Sequence, residues 1–344
     1  MNHDQYWRSE QLVDLLHETF GFHPGWRAVH GLGRMYTGTF TATQEAKRYT
    51  RAVHMQGDPI PVTARFSYSF PDMPNRPAEA QSAMATKFYL PNGSVTDLIA
   101  LSHTLFPFRT PEEVLDLLEH VRDPATGERD PARIEAWFAD HPASARAQQI
   151  IASEPPPASF AQAEFHPIHV YRFVNAAEEA RYARYHWIPE AGVASTTADE
   201  LRQRGEAYLF EELEDRLREA PVAYSLVLEL AEEGDPTNDT SAPWPEGRQI
   251  VTIGRLELTR PITNEEIGDP VMLHDPTRVT DGIETSDDPI LQARRGIYET
   301  SVAHRTGGWK GREAALEREA ALERGAAERH AAAGQEANPP PAGS

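Results

Sequence analysis

Seven short segments of this 344-residue chain are rich in β-branched and aromatic residues and are bounded by Gly, Pro, Asn or Asp. Such segments are typical of β-strands. They occur as runs interrupted by helices, not in strict alternation with helices. This order predicts an α+β fold with an antiparallel β-barrel and surrounding helices. The segments are MYTGTFTA, IPVTARFSYS, ATKFYL, PIHVYRFVN, ARYARYHWI, VAYSLVLEL and IVTIGRLELTR.

Helices are predicted before and between these strands. After Ser9, apolar residues recur at helical spacing, and the pattern stops at Gly21. The run Thr110-Pro111-Glu112-Glu113 predicts a capping box with proline at the first helical position. One further helix is expected through TADELRQRGEAYLFEELEDRLREA, and a hairpin around VNAAEEA.

Composition excludes several function classes. The 33 Lys and Arg against 53 Asp and Glu give a net charge of −20, which argues against nucleic acid and anionic membranes as partners. There is no cysteine, so disulfides and thiolate chemistry are excluded. No signal peptide and no membrane-spanning run are seen, so we expect a cytoplasmic protein with no membrane partner.

The chain divides near residue 310. Residues 1–310 are predicted to form one domain, and 311–344 are rich in Ala, Glu and Arg before a Pro/Gly/Ala end. We expect an exposed helix followed by a disordered tail. The EAALER unit recurs at six residues instead of seven, which argues against a coiled coil.

Two stretches contain candidate functional residues. Arg294 and Tyr298 are four residues apart, so a helix places them on one face. A neighbouring guanidinium stabilises a phenolate, and tyrosinate is the haem ligand of catalases. Such a pair is also common as an exposed stacking pair. His30, in GWRAVHGLG, has the same ambiguity, since a lone histidine is usually structural.

Six segments, in order, resolve this ambiguity. They resemble the haem-containing monofunctional catalase family, and most closely its small catalase-related peroxidase branch. The resemblance runs through most of residues 20–310 and ends in Arg-x-x-x-Tyr. The segments are RAVHGLGRMYTGTF, ARFSYS, KFYLPNGSVTDLI, YHWIPEAG, DPTNDTSAPWP followed by IGRLELTR, and GIETSDDPILQARRGIY.

The resemblance implies a haem b buried beside the barrel. Tyr298 would be its iron ligand, with Arg294 as the charge partner of the phenolate. His186 and Asp288 would continue the hydrogen-bond chain and fix the arginine.

On the other face, the resemblance implies that His30 acts as general base and then general acid on bound peroxide. Ser67 would hold its imidazole by bonding the other ring nitrogen. Further matched positions imply propionate-binding arginines and an apolar distal wall. These positions are Arg27, Arg65 and Arg305 for the propionates, and Val29 and Phe106 for the wall.

One position departs from the family pattern. Where catalases have an asparagine beside the distal histidine, this chain reads Asp97-Leu98-Ile99-Ala100-Leu101-Ser102, which puts Leu101 at the asparagine position. An apolar side chain cannot orient peroxide, so we expect weak dismutation. Replacement by Ser102 or His103 would need a rearranged loop.

We therefore expect a haem peroxidase of catalase fold that reduces hydrogen peroxide or organic hydroperoxides, oxidises small organic donors and has weak catalase activity. A chain without the arms of large catalases is as readily a monomer or homodimer as a tetramer. Two alternatives stay open. One is a hydroperoxide-rearranging or peroxide-driven biosynthetic haem enzyme; the other is a non-catalytic haem-binding or sensing protein.

Overall fold

The computed structural model describes residues 3–23, 25–69, 81–123 and 128–306, without the side chains of residues 3–7. Its largest element is an antiparallel sheet whose described strands follow the order β4-β3-β2-β1-β8-β7-β6-β5-β9. The strands are β1 (Gly33–Ala42), β2 (Ile60–Tyr68), β3 (Ser82–Tyr89), β4 (Val95–Leu101), β5 (Val170–Val174), β6 (Ala180–Pro189), β7 (Val222–Leu230), β8 (Ile250–Ile262) and β9 (Ile283–Thr285).

Eight α-helices of the described ranges surround this sheet. None of them combines the length and the apolar character that a membrane span requires. The helices are α1 (His3–Phe20), α2 (Pro111–His120), α3 (Pro131–Asp140), α4 (Pro142–Ser153), α5 (Ala198–Arg204), α6 (Tyr208–Glu219), α7 (Asn264–Ile267) and α8 (Pro289–Thr306).

The inner face of the curled sheet holds the main hydrophobic core. Large rings meet edge to face there, for example Phe40 with Phe88 and with Trp187. The edge strand β4 is linked back to the segment before β5 by one antiparallel bridge, in which Leu101 and His166 exchange backbone hydrogen bonds of 3.0 and 2.7 Å. The predicted α+β class with an antiparallel sheet is confirmed.

All seven predicted strands are present, while β4 and β9 were not predicted. The helix expected over residues 197–220 is two helices, α5 and α6, because Gly205 has a φ of 87°. Thr110 caps α2 as expected, but the Glu113 carboxylate accepts a hydrogen bond from the backbone N–H of Arg109 instead of completing the box. The predicted domain boundary and the tail at 311–344 lie outside the described residues.

A buried ion pair fixes the β3–β4 edge to the segment before α8. Lys87 Nζ lies 2.8 Å from Asp97 Oδ1 and also donates to the carbonyl of Leu273 at 2.8 Å. The second Asp97 oxygen accepts from the backbone N–H of Asp275 and pairs with Arg278. Every charge in this group has a partner, which burial requires.

We predict that Asp97→Ala lowers the free energy of unfolding by about 3 to 5 kcal/mol, because it leaves the buried Lys87 ammonium without its partner. Urea denaturation measures the change. The control is Asp215→Ala, which removes an exposed ion pair with Arg218 and is expected to cost less than about 1 kcal/mol. Equal effects of the two substitutions would contradict the prediction.

Candidate active site

Helix α8 begins at a buried carboxylate. Oδ1 of Asp288 accepts hydrogen bonds from the backbone N–H groups of Ile290 at 2.8 Å and Leu291 at 3.3 Å. This is an N-cap, followed by proline at the first helical position. Oδ2 of the same carboxylate lies 2.5 Å from Nδ1 of His169. Asp288 therefore both starts the helix and joins it to the residue before β5.

The chain of hydrogen bonds continues to a tyrosine. Arg294 Nη1 donates to Nε2 of His169 at 2.8 Å, so His169 carries its proton on Nδ1 and donates to Asp288. Burial lowers the pKa of His169, which favours this neutral form. One helical turn on, Arg294 donates from Nε, at 2.8 Å, and from Nη2 to the hydroxyl oxygen of Tyr298. Both donors stabilise negative charge on that oxygen.

The prediction that His186 belongs to this chain is wrong, and His169 takes its place. His186 instead bonds His166, with 2.8 Å between their Nδ1 atoms, and lies 3.3 Å from Glu229. On β6 it alternates with the buried Tyr185 and Trp187 and so points to the opposite face. His169 precedes β5, which pairs with β9 beside the start of α8. In the sequence, His169 is visible only as the histidine within the predicted strand segment PIHVYRFVN.

His30 lies in the turn that leads into β1, with a φ of 58°. A non-glycine residue in this left-handed region costs on the order of 1 kcal/mol or more. Its backbone is held by an N–H bond of 2.8 Å to the carbonyl of Ser69. Arg65 donates to the carbonyls of His30 and Gly31 at 2.9 and 2.8 Å. The arginine thus fixes the strained turn.

A glycine makes room for that arginine. A Cβ on Gly33 would lie 2.5 Å from Cζ of Arg65. In the β1–β2 register, Gly33 pairs with Ser67, whose Oγ lies 3.4 Å from Nδ1 of His30. Burial, followed by the charges of Arg65 and Arg294, lowers the pKa of His30 to about 3. His30 is therefore a neutral imidazole at physiological pH.

Two further arginines meet at one backbone carbonyl. Arg27 Nη2 donates to Met272 at 2.6 Å, and Arg305 Nη2 donates to Met272 at 3.1 Å and to Val271 at 2.8 Å. Burial and the neighbouring charges of Arg65 and Arg305 lower the pKa of Arg27 well below its usual value. Burial lowers the pKa of Arg305 to about 10.

Protein groups compensate these cations only in part: the Asp269 carboxylate acts to raise the pKa of both arginines, yet burial still lowers both pKa values. Among the described residues, no salt bridge involves Arg27 or Arg305, and the buried Nε of Arg305 has no hydrogen-bond partner. Buried charges are normally paired, so this arrangement fits an anionic group with several carboxylate oxygens.

Leu101 lies in apolar surroundings. Leu101 packs with Ala83 and Ile168 and against Phe106. Ser102, one alternative, already accepts a hydrogen bond from the backbone N–H of Ser82 at 3.1 Å. Within the described residues no side chain was found that replaces an asparagine amide here.

His103 is the other alternative. Its Nδ1 donates to the carbonyl of Leu105 at 2.5 Å, and its buried Nε2 has no partner among the described residues. Burial lowers its pKa to about 4, so the ring is neutral and Nε2 is a hydrogen-bond acceptor. His103 can therefore supply the acceptor of an asparagine amide but not its donors, because its one N–H is bonded to Leu105.

Helix α8, which carries Tyr298, also contacts the segment that contains His30. Three residues after Tyr298, the Ser301 hydroxyl accepts a hydrogen bond of 3.5 Å from the backbone N–H of Ala28, two residues before His30. Val29 lies partly exposed between them. After burial and Arg65, the charge of Arg294 also contributes to the lowered pKa of His30.

The family model described as catalase matches residues 24–313. The chain belongs to the catalase family. It is 38% identical over 307 residues to a protein named catalase-related peroxidase from Mycolicibacterium paratuberculosis, which covers 89% of this chain and 97% of that protein. A second catalase-related peroxidase, from Synechococcus elongatus, is 32% identical, covering 87% and 89%. The predicted family and branch are confirmed.

A solved fungal catalase shows the same fold. Its TM-score is 0.73 at 19% identity, and the match covers 86% of this chain and 62% of that chain. The predicted catalase-like fold is therefore confirmed as well.

The catalase family implies a haem cofactor, and the described residues fit one. The two propionates of a haem would pair with Arg27 and Arg305. The buried Nε of Arg305 has no other partner among the described residues. A tyrosine binds haem iron through its phenolate oxygen, and the oxygen of Tyr298 accepts two N–H hydrogen bonds that stabilise this form.

We predict that His169→Ala lowers the free energy of unfolding by about 3 kcal/mol, because the buried Asp288 carboxylate loses its partner. His186→Ala, which removes a histidine outside the hydrogen-bond chain, should lower the free energy of unfolding by about 1 kcal/mol. The haem absorption spectrum is a second readout, and it should shift only in His169→Ala because Arg294 is then released. An equal spectral shift in His186→Ala would show that the members of the hydrogen-bond chain are assigned incorrectly.

Proposed function

We propose that this enzyme is a haem b peroxidase that reduces hydrogen peroxide or organic hydroperoxides while oxidising small organic donors. The proposal rests on one observation above all. A neutral, half-buried histidine, hydrogen-bonded to a serine, belongs to the segment that contacts helix α8, and α8 carries a tyrosine whose oxygen accepts two N–H bonds from an arginine fixed by His169 and Asp288. Its catalase-family membership supports an oxidoreductase that acts on peroxide.

In this proposal, Tyr298 would hold the iron, and Arg294 donates two hydrogen bonds to the tyrosine oxygen. Arg27, Arg65 and Arg305 bind the propionates, which neutralises a cluster whose charges now repel one another. When bound, haem supplies an iron that coordinates peroxide and exchanges electrons with it.

His30 moves the proton. Ser67 accepts a hydrogen bond from Nδ1–H, which leaves the lone pair of Nε2 as the base. Nε2 would take the proton from the inner oxygen of peroxide and deliver it to the outer oxygen, which can then leave as water, while the two electrons that O–O cleavage requires would come from the bound haem. Burial and the charges of Arg65 and Arg294 lower the pKa of His30, which favours return of the proton to peroxide and makes Nε2 a weaker base in the first transfer.

The apolar cluster around Leu101 favours peroxidase over catalase chemistry. Catalase turnover needs a second peroxide to be oriented beside the same histidine, and Leu101 offers neither donor nor acceptor. Loss of a positioned donor from a buried site costs about 3 kcal/mol. Together with the partly exposed Val29 and Phe106, this wall is suited to apolar parts of a donor or hydroperoxide.

The first test is Tyr298→Phe in haem-reconstituted protein. The wild type should show a high-spin ferric spectrum with a tyrosinate charge-transfer band, and the variant should lose the band. Dye oxidation by peroxide should fall by about tenfold or more, which corresponds to about 1.4 kcal/mol of barrier. Tyr182→Phe, at an exposed tyrosine of β6, is the control. A wild type that takes up no haem would refute the proposal.

The second test is Leu101→Asn. The wild type should oxidise a dye donor with peroxide and release little oxygen. The asparagine variant should release oxygen about tenfold to a hundredfold faster, because one positioned donor is restored. Leu101→Val, which stays apolar, should behave as the wild type. An oxygen electrode and dye absorbance measure both reactions, and rapid oxygen release without dye oxidation by the wild type would refute weak catalase activity.

A further inference from the structure

A cluster of possible metal ligands lies at the ends of two helices, apart from the proposed active site. Asp14 and His17 are three residues apart on α1 and share a face, and His304 is in the last turn of α8. One oxygen of Asp14 and one ring nitrogen of each histidine all lie within 4.8 Å of one another. This is the one such group found in the described part of the chain.

The three side chains lie close together between the helix ends. Nδ1 of His304 lies 3.9 Å from Oδ1 of Asp14, and the imidazoles of His17 and His304 are 5.5 Å apart with 31° between their planes. Phe22 packs edge-on against His17, with 4.9 Å between ring centroids, and restricts its ring. The Asp14 side chain is 57% exposed and is free to rotate.

Small movements bring these distances to those of a metal centre. Tetrahedral bonds of about 2.0–2.1 Å put neighbouring ligand atoms about 3.4 Å apart. The separation of 3.9 Å between Asp14 and His304 needs a contraction of about 0.5 Å, and the other two separations, which are within 4.8 Å, need at most about 1.4 Å. Rotation of the exposed carboxylate and of the two imidazoles would supply these movements.

The donor set selects the kind of ion. Two imidazoles and one carboxylate suit zinc and other divalent transition metals, whereas calcium and magnesium prefer oxygen ligands. Two adjacent histidines repel each other when protonated, and a cation shared by their lone pairs removes that repulsion.

We propose that Asp14, His17 and His304 form a binding site for one divalent transition-metal ion, with Zn²⁺ as the representative ion and water at the fourth position. The ion joins the last turns of α1 and α8. Helix α1 leads into the segment that contains His30, and α8 carries Tyr298 and Arg305. A bound ion therefore stabilises the packing of the helix that carries Tyr298 against the helix that precedes the His30 segment.

Isothermal titration of the chelator-treated, haem-containing protein with Zn²⁺ tests the proposal. The wild type should bind one Zn²⁺ at this site, and His17→Ala and His304→Ala should each weaken that binding by about tenfold or more, equal to about 1.4 kcal/mol. The control is His120→Ala on α2, where His120 and Asp116 form a similar pair, 3.4 Å apart, with no third ligand. It should bind as the wild type does.

Thermal denaturation gives a second readout. Zn²⁺ should raise the melting temperature of the wild type and of His120→Ala but not of the two histidine variants. If a histidine variant does not fold, Asp14→Asn, at an exposed position, should still weaken binding. Absence of a stoichiometric site, or equal affinity in the wild type and the Asp14, His17 and His304 variants, would overturn the proposal. The result does not depend on peroxidase activity.

Discussion

The hydrogen-bond chain from Asp288 through His169 and Arg294 to Tyr298 is the interaction on which the site depends. Its first member caps α8, so the chain that orients the tyrosine also fixes where its helix begins. Each member is buried or partly buried and satisfies the next, and removal of one leaves a polar group unpaired at a cost of a few kcal/mol. Because Arg294 can only donate, the tautomer of His169 follows from the geometry.

The sheet provides the opposite half of the site. The β1–β2 register brings Ser67 and Arg65 to the turn that holds His30, and Gly33 leaves space for the guanidinium. Arg65 uses two N–H groups to hold the backbone of a residue in a left-handed conformation. Backbone strain of this kind persists only where the surroundings fix it, and it is common at functional sites.

Charge distribution links stability to cofactor binding. The chain carries a net charge of −20, yet Arg27, Arg65 and Arg305 meet in its interior, where burial and mutual repulsion lower the pKa of Arg27. Such a cluster is unfavourable in the folded protein without an anion. A group that supplies carboxylates there stabilises the folded state by its binding free energy. The same residues that recognise the propionates in our proposal thus couple folding to haem uptake.

The sequence by itself determined seven of the nine described strands, the helical spacing of Arg294 and Tyr298, and the catalase family. It also determined that the apolar Leu101 stands where catalases have an asparagine. These depend on local periodicity and on motifs whose order survives in the chain. Only the tertiary structure decided that His169 and not His186 contacts Arg294, that His103 is an acceptor, and that Asp14 and His17 meet His304. The physical reason is that strand neighbours, side-chain faces and helix packing join residues far apart in sequence, and one-residue alternation along a strand reverses which face a histidine occupies.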